Sequence, residues 1–263
     1  MKLSHTYDSI ISTENLLLAW KEFINGKKNK KDVQEFQLKF MENIFDLHSD
    51  LKNRTYNHSS YQAFKINDPK PRDIHKALVR DRLLHHAIYR ILYLYFDRKF
   101  IYDSYSCRIE KGTHRAIQRL EVFSRKVSKN NTKQCWILKC DIKKFFASID
   151  HQILKDILAK HLQDKDILNL LKNIIHSFTN SNLSHRLGKG LPLGNLTSQL
   201  LVNIYMNEFD QYMKHILKVK YYIRYADDFV ILSEDRKYLE ILLVQMSKFL
   251  NTTLKLQMHP DKV

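Results

Sequence analysis

Turn-formers are scarce in this sequence. Five Gly and four Pro in 263 residues leave no room for long flexible linkers. The chain therefore reads as one large domain or two lobes with a sizeable core. Its three cysteines, Cys107, Cys135 and Cys140, have no metal-ligand spacing, and a reducing, cytoplasmic compartment is expected. No apolar run approaches the length of a membrane span, and the N-terminus has no signal-peptide core. There is no internal repeat. No G-x-x-x-x-G-K-[ST] run occurs, which excludes the phosphate loop of nucleotide hydrolases. Acids are the minority charge, 28 Asp and Glu against 44 Lys and Arg, and the net charge is +16. Such an excess suits a polyanionic partner, nucleic acid first and an acidic membrane surface second. Fourteen Tyr and 14 Phe allow base stacking, although most of these rings belong in a core.

Local patterns give a chain of helices with a few strands. Leu16 to Ile24 reads as a short helix, followed by a basic turn from Gly26 through Lys31. Phe36, Phe40, Ile44 and Leu47 mark one amphipathic helix over Val33 to Leu51. Pro69 and Pro71 forbid a helix between Tyr61 and His75, so that stretch is a hairpin or an extended arm. It carries Lys65, Lys70 and Arg72, and a helix starts at Arg80-Asp81-Arg82. An arginine pair beside a basic arm can hold a triphosphate through forked, charge-assisted bonds. The alternative is surface pairing of Arg80 and Arg82 with Asp81 and Asp97. Thr113 is positioned to cap a helix running to Val127. Helices are also expected over His151 to His161, Asp166 to Phe178, Ser198 to Leu217 and Tyr238 to Leu250, and a final strand and turn from Leu254.

Two acidic stretches stand out. Trp136 to Asp141 reads as a buried strand ending in a carboxylate, which needs a partner because burying it alone is costly. A helix cap is the plainer explanation. Tyr221 to Leu232 reads as a hairpin, rich in aromatic and β-branched residues, with Ala226-Asp227-Asp228 at or beside its turn. Adjacent carboxylates repel, and a divalent cation offsets that repulsion because hard metals take carboxylate oxygens. A solvated acidic turn is the plainer explanation there. Between them, Gly188 to Gln199 forms a Gly/Pro loop running into a helix, where a backbone can approach a ligand closely. Two-metal phosphoryl transfer uses such parts, with ions roughly 3.5–4 Å apart.

Taken together these residues resemble a reverse transcriptase of the group II intron-like prokaryotic kind. Tyr225-Ala226-Asp227-Asp228 is similar to the family's Y-x-D-D box. Asp141 with Phe145-Phe146 resembles its first metal-binding motif, and Arg72 with Arg80-Asp81-Arg82 its nucleotide-handling fingers motif. Ser104 and Arg108, with Gly112 to Ile117, resemble the motif that follows. His259-Pro260-Asp261-Lys262 resembles the motif whose lysine protonates pyrophosphate. The resemblance implies an α+β right-hand polymerase with fingers at 1–85 and 151–190 and a palm at 86–150 and 191–263. Its antiparallel palm sheet would be backed by helices, and the thumb would be absent from this chain. It implies RNA-directed DNA synthesis on template RNA and primer, with dNTPs. Two Mg2+ ions, or Mn2+ in their place, would be held by Asp141, the Ile142 carbonyl, Asp227 and Asp228. Lys262 would join the three aspartates as a catalytic residue. Arg72, Arg80, Phe146, Leu193, Gly194 and Gln199 would bind nucleotide, Phe146 excluding a 2′-hydroxyl.

The loop Leu193-Gly194-Asn195-Leu196-Thr197-Ser198-Gln199 departs from the usual Gln-Gly-x-x-x-Ser-Pro. In that respect it resembles the enzymes of diversity-generating retroelements, which copy RNA with errors at adenines, aided by a small basic accessory protein. A group II intron- or retron-like enzyme is the alternative, as is an inactive fragment that only binds nucleic acid. An RNA-dependent RNA polymerase would carry an acid five residues after Asp141, where this chain has Phe146.

Overall fold

The computed structural model describes residues 6–67, 71–178 and 188–260. It is an α+β protein with two small antiparallel sheets. The chain divides into two compact units: Met1–Phe96 with His151–Leu201, and Asp97–Asp150 with Val202–Val263. Among the described residues no helix is long and apolar enough to cross a membrane.

The first unit is mainly helical. It contains α1 (Tyr7–Ile11), α2 (Thr13–Phe23), α3 (Lys31–Leu38), α4 (Phe40–Lys52) and α5 (Val79–Asp97), whose last residue is the other unit's first, and, from its second segment, α8 (His151–His161) and α9 (Lys165–Ser177). Ser12 caps α2 by accepting the Asn15 amide at 3.2 Å, which satisfies one of the free N–H groups of the first turn. Leu16, Ala19 and Phe23 of α2, Ile44, Leu47 and Leu51 of α4, and Leu83, Leu84 and Ile88 of α5 are buried together as core. The single helix expected over Val33 to Leu51 is two. Lys39 leaves the helical region (φ −117°, ψ 38°), and the Asn43 side chain donates to the Phe36 carbonyl that the break sets free. Both flanking rings still serve one purpose, since Phe36 and Phe40 pack on Trp20 at 5.2 and 5.1 Å.

The arm between Tyr61 and His75 is a hairpin of β1 (Gln62–Asn67) and β2 (Pro71–Lys76), paired from Gln62↔Lys76 to Asn67↔Pro71. Lys70 lies outside the described residues. The root of β2 is fastened to the Gly/Pro loop: His75 donates its amide to the Leu193 carbonyl, and Asn195 donates to the His75 carbonyl at 2.8 Å.

The second unit holds the sheet β3 (Trp136–Cys140), β5 (Asp228–Ser233) and β4 (Tyr222–Tyr225), with β5 in the centre. On one face Ile223 and Leu232 pack with Phe123 and Val127 of α6 (Thr113–Val127). On the other, Tyr222 and Phe229 pack around Phe209 of α10 (Leu196–Gln211). That helix continues as a π-helical turn, Tyr212–Ile216, where an unbroken α-helix to Leu217 was expected. α11 (Arg236–Thr253) stacks Phe249 on Tyr212 at 4.1 Å, and is capped by Asp235. β3 is less buried than its apolar run implies, with Ile137 54% exposed, because one of its faces is open. The short α7 (Phe145–Ser148) follows β3. The expected C-terminal strand is reduced to one bridge, Ile142↔Met258. Thr113 is not a cap. Gly112 holds that position, and the Thr113 hydroxyl donates to Tyr225 Oη at 3.1 Å.

Candidate active site

The acidic hairpin is tight. Tyr225 pairs with Asp228, leaving Ala226 and Asp227 as a two-residue turn. Ala226 takes φ +55°, a left-handed value that an alanine adopts only under constraint. The constraint is visible beneath it. Arg224 is 1% exposed and Asp210 fully buried, and they form a forked pair. Arg224 also donates to Asn203 Oδ1 and Ser104 Oγ, and through Nη1 to the Ala226 carbonyl at 3.0 Å. Tyr222 donates to Asp210 at 2.7 Å. Burial disfavours charge on Arg224, but Asp210 outweighs it and holds the guanidinium above its ordinary pKa. Burial first, then Asp210, drives the Tyr222 hydroxyl well above its usual range. A guanidinium thus pins the turn from inside the protein.

The register of β3 against β5 pairs Cys140 with Phe229. Extended by one position, it sets Asp141 opposite Asp228, and directly opposed residues of an antiparallel pair share a face. Asp227 lies in the adjoining turn. All three acidic residues therefore fall at one end of this sheet, Asp141 being 8% exposed. The next residues are held by the segment before Pro260: His259 donates its amide to the Asp141 carbonyl at 2.7 Å, and Lys143 to the Gln257 carbonyl at 2.8 Å. Ile142 is buried there. Phe145 is buried while Phe146, 5.6 Å away edge-on, is half-exposed; the second ring is therefore not simple core. Lys262 lies outside the described residues.

The donor chemistry of this end, hard carboxylate oxygens with a backbone carbonyl close by in sequence, fits Mg2+ or Mn2+. Among the described residues no group of three or more His, Cys, Asp or Glu side chains is placed to hold a metal ion.

The remaining candidates belong to the first unit. Arg72 is exposed on β2 opposite Ile66. Arg80 is engaged: it pairs with Asp50 and lies over the Tyr56 ring. Arg82 pairs with Asp32, which also takes Lys76 at 2.6 Å. Neither arginine pairs with Asp81 or Asp97. Asp81 is buried and accepts the Tyr56 hydroxyl at 2.7 Å, and Asp97 pairs with Arg108. Gly194 takes φ +101° and comes so near β2 that a Cβ there would lie 2.9 Å from Ile74 Cγ2. Gly194 and Gln199 line a cavity of about 350 Å3 together with Phe64, Lys27, Arg82 and His86. Burial, with Lys27 and Arg82 adding to it, pushes the His86 pKa down to about 4.

Sequence reasoning passed over Arg224 and Asp210. A signal existed for one of them: period-two alternation puts Arg224 on the same face as Tyr222, whereas Asp210 sits in the polar run Asn207-Glu208-Phe209-Asp210-Gln211 and had none.

Residues 66–263 match the family described as reverse transcriptase (RNA-dependent DNA polymerase). The chain belongs to the reverse transcriptase family. Within reach of that family it is similar to Protein YkfC of Escherichia coli (strain K12), 26% identical over 217 residues that cover 70% of this chain and 56% of YkfC. It is also similar to the group II intron-encoded protein LtrA of Lactococcus lactis subsp. cremoris, 26% identical over 184 residues, 68% of this chain and 29% of LtrA. The chain thus spans little more than half of one relative and under a third of the other. Among solved structures, telomerase from Candida albicans in complex with a fragment of telomeric RNA matches 80% of this chain and 43% of its own, with TM-score 0.56 at 12% identity. A partial Cas6-RT-Cas1–Cas2 complex matches 95% of this chain and 43% of its own, with TM-score 0.54 at 21% identity. These likenesses show a reverse-transcriptase and telomerase type of fold.

Proposed function

We propose that this chain synthesises DNA on an RNA template by two-metal nucleotidyl transfer. What carries the reading is the gathering of Asp141, Asp227 and Asp228 at one end of the sheet, on a turn pinned by a buried arginine. These aspartates, with the Ile142 carbonyl, would hold two Mg2+ ions, which when bound would lower the pKa of a primer 3′-hydroxyl and steady the leaving pyrophosphate. Phe146 would lie against the sugar and exclude a 2′-hydroxyl; its half-exposure beside a buried neighbour supports that role. Arg72 and Arg80 would clamp the triphosphate, Arg80 after exchanging Asp50 for phosphate. Leu193, Gly194 and Gln199 would shape the nucleotide pocket, and Lys262 would protonate pyrophosphate. In this reading the first unit serves as the fingers and the second as the palm.

The test is primer extension on an RNA template, dNTPs against NTPs, with Asp227→Asn as control. Asp227→Asn removes extension and leaves RNA affinity nearly unchanged, because affinity comes from Lys and Arg on phosphates. Extension by Asp227→Asn at the parent rate refutes the assignment.

The finer reading is the error-prone enzyme of a diversity-generating retroelement, working with a small basic accessory protein. Leu193 and Gln199 in the Gly/Pro loop support it; similarity to LtrA supports a group II intron-like enzyme instead. Leucine offers shape and no hydrogen bond, and about 1.4 kcal/mol of lost discrimination is a tenfold rise in error. Sequencing cDNA from one template decides. Errors concentrated at template adenines, reduced by Leu193→Gln, support the retroelement; a low, base-independent spectrum removes it.

A further inference from the structure

The three-stranded sheet has a second end. β5 runs from Asp228 to Ser233, five steps of roughly 3.3 Å, so its exit lies roughly 17 Å from the acidic turn. There, a cavity of about 310 Å3 is lined by Lys126, Lys129, Lys218 and Lys220, with Glu234 as the sole acid. All four lysines are exposed, and among the described residues none makes an ion pair. Lys220 reaches over the ring of Tyr221, at 5.3 Å, and Tyr221 and the exposed Tyr238 supply the cavity's aromatic wall.

Two of these lysines sit where the backbone asks for something else. Lys129 and Lys218 follow the ends of α6 and of the π-helical turn, with φ +49° and +53°. That is the left-handed position glycine fills at a helix C-terminus without steric cost. A helix C-terminus also attracts cations, which explains one lysine in each last turn. It does not explain lysine at both left-handed positions, nor Lys220 beyond them.

We propose that this cavity binds a single strand of nucleic acid outside the catalytic end, its phosphates among the four lysines and one base against Tyr238. The volume is that of a small-ligand pocket, which suits about one nucleotide and not a duplex. Lysines tracking a backbone beside a ring that stacks a base are the general means of holding single strands.

The test uses Lys129→Gly/Lys218→Gly, which removes two cations while relaxing the backbone, and Tyr238→Ala. Binding of one short oligomer, as RNA and as DNA, is followed by fluorescence anisotropy over a salt series, with no dNTP present. The double glycine variant is expected to lower the slope of log affinity against log salt by about 1.4, roughly 0.7 per lost phosphate contact. Tyr238→Ala is expected to weaken binding about fivefold or more. Extension at saturating primer and template stays at the parent rate for both. Unchanged slope and affinity in the glycine variant overturn the proposal. So does a free ribonucleoside monophosphate that binds the parent as tightly as the oligomer and is lost in the variant, or loss of binding only to phosphatidylserine vesicles.

Discussion

Replacing Arg224 by lysine asks whether the buried network holds the acidic turn. The guanidinium reaches both oxygens of Asp210, Asn203 Oδ1, Ser104 Oγ and the Ala226 carbonyl, all away from water. Lysine keeps the charge but is a compact point donor on a flexible stem, and cannot span that fork. At least two buried acceptors would lose their partner, at about 1–3 kcal/mol each. The expected loss is therefore about 2–6 kcal/mol, or roughly 4–24 °C in melting temperature for a chain of this size. Arg224→Met also leaves the buried Asp210 without its counter-charge, which by itself costs roughly 3–5 kcal/mol. The same change frees the Ala226 carbonyl, whose bond ties the turn to the interior. Extension measured well below the variant's melting point should then show a lower kcat with dNTP KM little altered, because the groups lost touch no nucleotide. Circular dichroism melting and single-nucleotide extension read the two effects separately. An Arg224→Lys protein that melts with the parent and extends at its rate would refute the role given to the network.

Three further outcomes follow from the geometry. Phe146→Val should admit ribonucleotides, read as a fall in the dNTP/NTP ratio of kcat/KM; an unchanged ratio in a folded variant returns Phe146 to plain packing. Gly194→Ala should destabilise the first unit by about 1–3 kcal/mol, because the added Cβ meets Ile74 at 2.9 Å and the backbone is left-handed, and a urea midpoint equal to the parent's would contradict this. His86, near 4 in the folded chain against 6.5 when unfolded, takes up protons more readily unfolded, so its share of stability is present above pH 6.5 and lost as pH falls toward 4. His86→Gln should flatten the decline in melting temperature across that window, and a decline as steep as the parent's would dismiss it.

Much of this was legible in the sequence where local chemistry was decisive. Asp227-Asp228 between aromatic and β-branched runs reads as a hairpin turn and is one. Pro69 and Pro71 exclude a helix, and β1 and β2 form there. The break at Lys39 was hidden because Phe36 and Phe40 stay on one helical period while both serve Trp20, and neither glycine nor proline marks it. The partners of Arg80 and Arg82, Asp50 and Asp32, are distant in sequence and had no local signal. Thr113 has the chemistry of a cap, but Gly112, with φ +106°, takes the turn instead. Arg224 lies unmarked in a run of strand-formers, and its burial against Asp210 becomes visible only with α10 packed on the sheet.

The pair formed by Asp210 and Arg224 also protects the hairpin against threading errors. A slip of β4 by one residue would turn every side chain to the opposite face. Arg224 would leave its acceptors, an apolar or aromatic neighbour would meet Asp210, and a carboxylate would be stranded without water or counter-charge. Tyr222 and Ile223 are both buried, so apolar burial alone would distinguish the two alignments poorly. The ion pair makes the wrong one costly. The turn that carries Asp227 is therefore held to one alignment of β4 against β5.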